Sequence, residues 1–283
     1  MTQCISPVKL GHGAVSCGQC MPCRISAKRK QAAKILLEAA ATRDSAFVTF
    51  TYKDEHQPVT VDGVPTLRKA EAKELIQKVA SALAIRRSQF RHYTVGEYGE
   101  NTGRPHLHAM WFGINWYDAW NIAEKVWKKG FVQAVACTAT RAEYIAGYCT
   151  KKLTKEDDER LCEGQEPEFK YQTHQPGLGM SYIQSIIEWY QTESGAAALA
   201  DAGDIAHQFR FRGSLYPLSD YAKRKIRRAL AIPETVEGLR EIRPDVHPVN
   251  VPPSLEELEE RRIRHRQKEQ RHAIYAQKYQ NRI

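Results

Sequence analysis

Residues 90–112, FRHYTVGEYGENTGRPHLHAMWF, hold the pattern that decides the fold class. Two runs within it, 90–97 and 106–112, are rich in β-branched and aromatic residues and alternate in polarity as half-buried strands do. Between them, residues 98–105 (YGENTGRP) are rich in Gly, Asn and Pro, which favour a turn. The stretch therefore predicts an antiparallel β-hairpin.

The segments on either side of this hairpin show helical and strand patterns in mixed order. They predict, in chain order, a helix at 26–42, a strand at 46–52, helices at 67–87 and 115–129, a strand at 131–137, and helices at 140–153 and 181–192. Helices and strands in this mixed order, with at least one antiparallel pair, predict an α+β fold.

Composition and charge indicate a globular protein with a polyanionic partner. The chain has 283 residues, 42% of them hydrophobic, which is enough for a packed core. Its 42 Lys and Arg against 33 Asp and Glu give a net charge of +9, which favours nucleic acid, although a solvated basic surface gives the same totals. No segment has the ~18 to 20 apolar residues of a membrane span or the layout of a secretory signal. We therefore expect a soluble, intracellular protein with no membrane partner.

Changes in composition divide the chain into four segments. Residues 1–25 are Cys-rich, and residues 26–160 carry the hairpin and most of the predicted elements. Residues 161–232 form an extension that contains a basic patch at 209–228. Residues 233–283 have the pattern of a Pro-punctuated linker followed by a basic helical tail, which suits either nucleic-acid phosphates or a plain solvated helix.

The second strand of the hairpin carries the pair His106 and His108. Residues two apart on a strand face the same side, so both imidazoles can reach one divalent cation. Glu97 on the paired strand would add a carboxylate ligand, with Glu100 in the turn as the alternative. Such a set leaves coordination positions open for a phosphate oxygen. The reading without a metal is that both are surface or hydrogen-bonded histidines.

A second candidate constellation lies in EYIAGYCTKK at 143–152. Tyr144, Tyr148 and Lys152 recur at intervals of four, so on a helix they line one face. An ammonium group beside a phenol favours the ionised, nucleophilic form, which makes Lys152 the candidate charge stabiliser. Lys151 points about 100° away and would contact backbone phosphate instead. Alternatively, both tyrosines are half-buried packing residues and both lysines are solvated.

Four of the seven cysteines stand in the first 23 residues: Cys4, Cys17, Cys20 and Cys23. An odd total and this crowding are more typical of a reduced set that could bind a metal than of a disulfide framework. The overlapping CxxCxxC departs from the two separated pairs of a zinc ribbon, so a structural Zn²⁺ and free thiols both stay open. The remaining cysteines are interpreted as packing residues: Cys137, Cys149 and Cys162.

Taken together, these segments resemble the replication initiators of small single-stranded DNA phages, the Microviridae, and in particular their gokushovirus branch. Residues 46–52 resemble the first motif of the His-hydrophobic-His (HUH) endonucleases, residues 96–113 (GEYGENTGRPHLHAMWFG) the second, and residues 143–152 the two-tyrosine third. The stretches CGQCMPCR at 17–24 and PGLG at 176–179 are also similar. The resemblance covers roughly residues 1–230.

The resemblance implies an HUH endonuclease-like fold with a central antiparallel sheet of about five strands flanked by helices. It implies that Mg²⁺ or Mn²⁺, held by His106, His108 and Glu97, acts on a scissile phosphate that Tyr144 or Tyr148 attacks. The products would be a 5′-phosphotyrosine and a free 3′-hydroxyl that primes rolling-circle synthesis. The other tyrosine would later help to close the displaced strand into a circle.

On this interpretation the partners are the single-stranded and replicative-form viral DNA origin, a host helicase and a host DNA polymerase, in the cytoplasm of the bacterial host. Salt-dependent DNA contacts are expected from basic residues around the site and in the basic patch. The candidates for these contacts are Arg86, Arg87, Arg91, Lys151, Arg210 and Arg212.

Three other functions share parts of the pattern. A conjugative relaxase or a transposase would use the same sheet and metal, but many of these enzymes have one catalytic tyrosine. A histidine-triad nucleotide hydrolase would need a third histidine at position 110, which is Met110. A metal-stabilised DNA-binding regulator would use the cysteines and the basic tail and leave the histidines inert.

Overall fold

The structure, a computed structural model, describes residues 4–10, 13–99, 102–148 and 159–233, together with Ile263 and Gln267. The strands are β1 (Val8–Leu10), β2 (Gly13–Val15), β3 (Ser45–Thr51), β4 (His92–Tyr98), β5 (Pro105–Phe112), β6 (Val132–Ala136), β7 (Phe169–Gln172), β8 (Gln208–Phe211) and β9 (Ser214–Pro217). The helices are α1 (Met21–Ala41), α2 (Lys69–Ala82), α3 (Trp116–Val126), α4 (Ala139–Tyr148), α5 (Met180–Tyr190), α6 (Glu193–Ala202) and α7 (Asp220–Ala229). The chain divides into two units: Lys28–Thr235 contains every element from β3 onward, and Met1–Ala27 belongs to the other unit.

Five strands form one antiparallel sheet in the order β6-β3-β5-β4-β7. The predicted hairpin is the pair β4–β5, and β5 is the central strand. Helices flank the sheet, so the predicted α+β class with a five-stranded antiparallel sheet is confirmed.

The alternation of residues along the strands gives this sheet two faces with different covers. One face carries Val48 and Leu107 and is covered by α2 and α3; we call it the apolar face. The other carries Phe47 and Met110 and is covered by α1 and α4; we call it the site face. Because His106 and His108 alternate with Leu107, both histidines fall on the site face.

The first helix begins at Met21, five residues before the predicted start. The Arg24 N–H already donates to the Cys20 carbonyl at 3.0 Å, which closes the first helical turn. Pro22 does not prevent this, because proline is tolerated where the backbone N–H has no helical acceptor. The predicted start at Ser26 was therefore too late.

The second helix ends at Ala82 rather than at residue 87. Ala84 has a left-handed φ of 54°, and the Ile85 N–H donates to the Ala80 carbonyl at 3.0 Å. This is the six-to-one bond of a Schellman motif, which glycine usually marks. An alanine in that role has no sequence signature, so the pattern alone extended the helix too far.

Beyond residue 160 the chain has more structure than its pattern indicated. Phe169–Gln172 adds the fifth strand, and the small residues of 193–202 form α6. The basic patch folds as a hairpin and a helix: Arg212 and Gly213, with φ of 45° and 89°, turn β8 into β9, and α7 follows. The predicted boundary at residue 160 and the basic helical tail stay predictions, and all but two residues of the tail lie outside the described residues. None of the helices described combines the length and the apolar character of a bilayer span.

Candidate active site

Strand register places three polar side chains around the histidine pair. In the pairing of β4 with β5, Glu97 stands opposite His106; in the pairing of β3 with β5, Thr49 stands opposite His108. Cross-strand partners share one face of a sheet, so Glu97 and Thr49 lie on the site face with both imidazoles. The sequence predicted the two histidines and Glu97 together, but it did not identify Thr49.

Both ring nitrogens of His108 are engaged. The Thr49 hydroxyl lies 3.0 Å from Nδ1, and a Glu97 carboxylate oxygen lies 2.8 Å from Nε2. The side chains of His108 and Glu97 are each 8% exposed, so this contact is shielded from water. Because a carboxylate accepts, Nε2–H donates to Glu97, and Nδ1 then accepts the Thr49 hydroxyl proton.

His106 has one ring nitrogen fixed by the backbone. Its Nδ1 lies 2.8 Å from the Arg104 carbonyl oxygen, which can only accept, so Nδ1 carries the proton and Nε2 has the lone pair. A carbonyl that holds one ring nitrogen in this way is the usual support for a metal-binding histidine. Burial lowers the pKa of His106 from its ordinary value, which favours the neutral ring that a metal needs.

The donor set at this position fits a hard divalent cation. Adjacent ligands of an octahedral Mg²⁺ lie about 3 Å apart, and the contact between His108 and Glu97 has that length. The His106 and His108 rings are parallel within 8° at a centroid separation of 6.4 Å. Among the described residues, however, only a set of cysteines brings three or more such donor atoms together. Metal binding at the histidine pair would therefore require His106 to move toward the other two donors.

Helix α4 places both predicted tyrosines against His108. The Tyr148 ring is parallel to the imidazole within 4° at 5.6 Å, and the Tyr144 ring meets it edge-on, also at 5.6 Å. The two phenol rings are 4.8 Å apart and nearly perpendicular. Tyr144 is 49% exposed, whereas Tyr148 is 6% exposed. The helix thus presents one accessible and one buried phenol to the same imidazole.

The cations predicted beside these tyrosines, Lys151 and Lys152, lie outside the described residues, as does Glu100. The structure instead brings Lys28 of α1 to the tyrosine helix. Its Nζ lies 3.7 Å from the position that a Cβ would take at Gly147. No sequence pattern indicated this contact, because Lys28 is far from the motif along the chain.

A further buried carboxylate, Glu168, borders the site. Gly96 pairs with Phe169, so the register of β4 and β7 continued by one residue sets Glu168 beside Glu97. Glu168 is 3% exposed, and its carboxylate accepts the Tyr98 N–H at 3.2 Å. Sequence reasoning missed Glu168, since it took this segment for a polar connector.

The arginines predicted to bind DNA have intramolecular partners in the described part of the chain. Arg91 forms a two-pronged ion pair with buried Glu38, at 2.6 and 2.9 Å. Arg87 donates to the Tyr171 hydroxyl, and Arg210 to the Gly213 carbonyl. Arg86 occupies the N-cap of the turn at Arg87–Gln89, and Arg212 the turn between β8 and β9. Their role in DNA binding stays a prediction.

Six cysteines are described, and all are free thiols. Cys4, Cys17, Cys20 and Cys23 converge, with all four sulfur atoms within 4.8 Å of one another. Cys137 is half-buried and contacts the core on the site face, as expected of a packing residue. Cys162 is exposed, so its interpretation as a packing residue was wrong. Cys149 lies outside the described residues.

Comparison with known proteins gives concordant results. Residues 45–155 match a family model of replication-associated proteins, the one named for the ORF2 protein. The chain is similar to "Replication-associated protein VP4" of Bdellovibrio phage phiMH2K, with 28% identity over 191 residues, 55% of this chain and 60% of the relative. It is also similar to "Replication-associated protein ORF2" of Spiroplasma virus 4, with 26% identity over 208 residues, 68% of this chain and 64% of that relative.

The chain thus spans somewhat less than two thirds of the length of each of these relatives. No solved structure matches it. The matched residues 45–155 include β3, the hairpin with its histidine pair, and both tyrosines. The resemblance to replication initiators of small single-stranded DNA phages is therefore confirmed, and residues 45–155 constitute a domain of the ORF2 family of replication-associated proteins.

Proposed function

We propose that this chain initiates viral DNA replication by nicking one strand of the replicative-form origin and joining its 5′-phosphate to a tyrosine. The observation that carries the proposal is the packing of Tyr144 and Tyr148 on the ring of His108, beside Glu97. Two nucleophile candidates then share one cluster of metal-binding side chains. The similarity to two phage replication-associated proteins supports the same role.

His106, His108 and Glu97 are the residues that would hold the Mg²⁺ or Mn²⁺. When bound there, the cation would supply Lewis-acid stabilisation of the charge that develops on the scissile phosphate. Thr49 and the Arg104 carbonyl hold the two imidazoles in fixed orientations. Helix α4 and buried Glu97 exclude water from one side of His108, which strengthens electrostatic interactions there.

The proposed chemistry is an exchange of one phosphodiester for another. The tyrosine oxygen forms a bond to phosphorus, the bond from phosphorus to the 3′-oxygen breaks, and the proton lost by the phenol is balanced by the proton gained by the 3′-hydroxyl. Because the phosphotyrosine retains the bond energy, no nucleotide hydrolysis is needed. The sequence agrees, as it contains no GxxxxGK[ST] phosphate loop.

The unequal burial of the two phenols suggests their order of use. Tyr144, at 49% exposure, is open to incoming DNA, whereas Tyr148 is 6% exposed and stacked on His108. We assign the first cleavage to Tyr144. Tyr148 would act after one circuit, when the regenerated origin is cleaved and the released 3′-hydroxyl attacks the first phosphotyrosine to close the circle.

Basic side chains would hold the DNA strand across the site. Lys28, beside Gly147, is placed to contact a backbone phosphate near the tyrosines, and Lys151 and Lys152 extend the same segment in sequence. After cleavage, the free 3′-hydroxyl would be handed to a host DNA polymerase, and a host helicase would separate the strands. This division of labour places the protein in the cytoplasm of the bacterial host.

The decisive experiment is a search for a covalent protein–DNA adduct. The protein is incubated with Mn²⁺ and labelled single-stranded oligonucleotides that tile the viral genome encoding it, and SDS-stable adducts are resolved by electrophoresis. The variants are Tyr144→Phe, Tyr148→Phe, both together, and His108→Ala. Tyr117→Phe is the matched control, because Tyr117 is an equally exposed phenol at 56% on α3.

We expect an adduct on one oligonucleotide, retained by Tyr117→Phe and lost by at least about 1000-fold in the double variant, which removes both nucleophiles. Tyr144→Phe should reduce first cleavage more than Tyr148→Phe does. If the wild type binds DNA tightly but forms no adduct on any oligonucleotide, the nicking function is refuted and the DNA-binding regulator becomes the better account.

A further inference from the structure

The N-terminal cysteines form a cluster whose dimensions can be compared with those of a metal centre. The sulfur atoms of Cys4, Cys17, Cys20 and Cys23 all lie within 4.8 Å of one another, and those of Cys4 and Cys20 are 3.9 Å apart. Four thiolates bound tetrahedrally at about 2.3 Å from one ion stand about 3.8 Å from each other. The cluster therefore has the size of a site for a single ion. The ligands of an iron–sulfur cluster surround several atoms and lie farther apart.

Backbone groups within this cluster are arranged as around metal-bound sulfur. The Cys17 N–H donates to the Cys4 sulfur at 3.3 Å, and the Cys20 N–H donates to the Cys17 sulfur at 3.4 Å. Gly18, with a φ of 74°, provides the turn that brings the Cys20 N–H back onto Cys17. These bonds place partial positive charge on the sulfurs and so favour their anionic form. The cluster is therefore prepared for thiolates rather than for neutral thiols.

The position of the cluster relative to α1 also favours negative charge. Cys20 directly precedes the helix and Cys23 lies in its first turn, where unpaired N–H groups form the positive end of the helix dipole. That first turn has no acidic side chain, and Arg24 follows Cys23. Four thiolates around a divalent cation carry a net charge of −2, which this environment stabilises.

The hairpin between Cys4 and Cys17 needs a source of stability. Its strands β1 and β2 have only three residues each, and Val8, Leu10 and Val15 are 44 to 48% exposed. All three hydrophobic clusters found in the described residues draw on residue 32 and beyond. An isolated two-stranded hairpin is marginally stable in water. Small segments without a core are commonly held together by a metal or by disulfides. Disulfides are not present, because all four cysteines are free thiols.

We infer that Cys4, Cys17, Cys20 and Cys23 bind one structural Zn²⁺, which ties the N-terminal hairpin to the first turn of α1. Zinc is the divalent ion that four cysteines in a closed tetrahedral site select, and with no open position the ion has no catalytic role. This site is separate in residues and in chemistry from the histidine pair. The inference does not depend on the proposed nicking function.

The test is the metal content of the full-length protein, purified without a histidine tag and measured by inductively coupled plasma mass spectrometry. We expect about one zinc per chain in the wild type. Cys17→Ser and Cys20→Ser should each lower it about tenfold or more. Cys162→Ser is the matched control, since Cys162 is an exposed free thiol outside the cluster, and it should keep the full content.

Two measurements on the wild type keep the inference testable if the serine variants do not fold. Protein grown with cobalt should show the intense visible bands of a tetrahedral thiolate site. In a separate reaction, iodoacetamide should modify Cys162 quickly and the four clustered cysteines only after a strong chelator is added. Absence of zinc, or rapid alkylation of the cluster without a chelator, would overturn the inference. A single bound iron in place of zinc would overturn the assignment of the ion.

Discussion

The two faces of the central sheet use the same strands for different purposes. The apolar face, under α2 and α3, is filled with residues such as Val48, Leu107 and Trp111. The site face, under α1 and α4, interrupts its packing with His108, Glu97 and other polar groups. Buried polar groups that are needed for chemistry are seldom the most stabilising choice. The apolar face should therefore carry stability, and the site face activity.

The sharpest way to break this comparison is a pair of neighbouring substitutions on β5. Leu107→Ala removes a fully buried side chain from the apolar face and should lower the free energy of unfolding by about 2 to 5 kcal/mol. The folded protein should still form the adduct. His108→Ala should lower adduct formation by at least about 100-fold, with a stability loss of only about 1 kcal/mol.

Urea denaturation and the adduct assay, run at a temperature where both variants are folded, measure the two effects. If Leu107→Ala abolishes the adduct in the folded state, or His108→Ala unfolds the protein as much as Leu107→Ala does, the division between the faces is wrong.

Within the site face, two adjacent buried carboxylates can be compared. Glu97→Gln keeps the shape and the hydrogen bond but removes a charged ligand, so the Mn²⁺ concentration for half-maximal cleavage should rise about 10- to 100-fold. Glu168→Gln is the matched control, and its shift should be smaller, because Glu168 accepts from the Tyr98 backbone. Cleavage rates over a Mn²⁺ titration give both values. A larger shift for Glu168→Gln would make Glu168 the carboxylate ligand.

His92 tests the apolar face by pH. Burial, and then the charges of Arg87, Arg91 and His174, lower the pKa of His92 to about 3 in the folded protein. The unfolded value is about 6.5, so the stability that depends on neutral His92 is complete above about pH 6.5 and is lost as the pH falls toward about 3. At about pH 6 the loss should be about 1 kcal/mol.

His92→Gln, which cannot titrate, should flatten this dependence. Urea midpoints between about pH 8 and about pH 5 measure it. An unchanged slope in His92→Gln would show that His92 is not the group responsible.

The smallest expected effect concerns Lys28. Lys28→Gln should weaken binding of single-stranded DNA a few-fold and lower the salt slope of log K by about one. Lys30→Gln, on the same helix, is the control: its ammonium is paired with Asp220 at 2.7 Å. Fluorescence anisotropy over a range of salt concentrations distinguishes them. An equal loss in both variants would mean that Lys28 contributes only general positive charge.

What the sequence predicted and what it missed follow from the range of the interactions. The hairpin, the His106 and His108 pair and the tyrosine helix were predictable, because alternation and helical spacing are properties of a few consecutive residues. The contact of Lys28 with α4 and the position of Glu168 beside Glu97 depend on which elements meet in space. No local pattern encodes such meetings.

The cysteines illustrate the same limit. Their spacing left Zn²⁺ and free thiols open, and the convergence of the four sulfurs became visible only with the chain folded. β7 was missed because its four residues, FKYQ, are too few to show alternation and become a strand by pairing with β4. The exposed position of Cys162 likewise has no signature in the residues around it.

The short strand β7 also has a consequence for how the protein can be made and divided. It covers the outer edge of β4, pairing Tyr93 to Gly96 with Phe169 to Gln172. During synthesis, the strand that bears Glu97 keeps an open edge until residues beyond 168 have left the ribosome, and open edges recruit strands from other molecules. Fragments of the nicking domain should therefore extend at least through Gln172 if they are to resist aggregation.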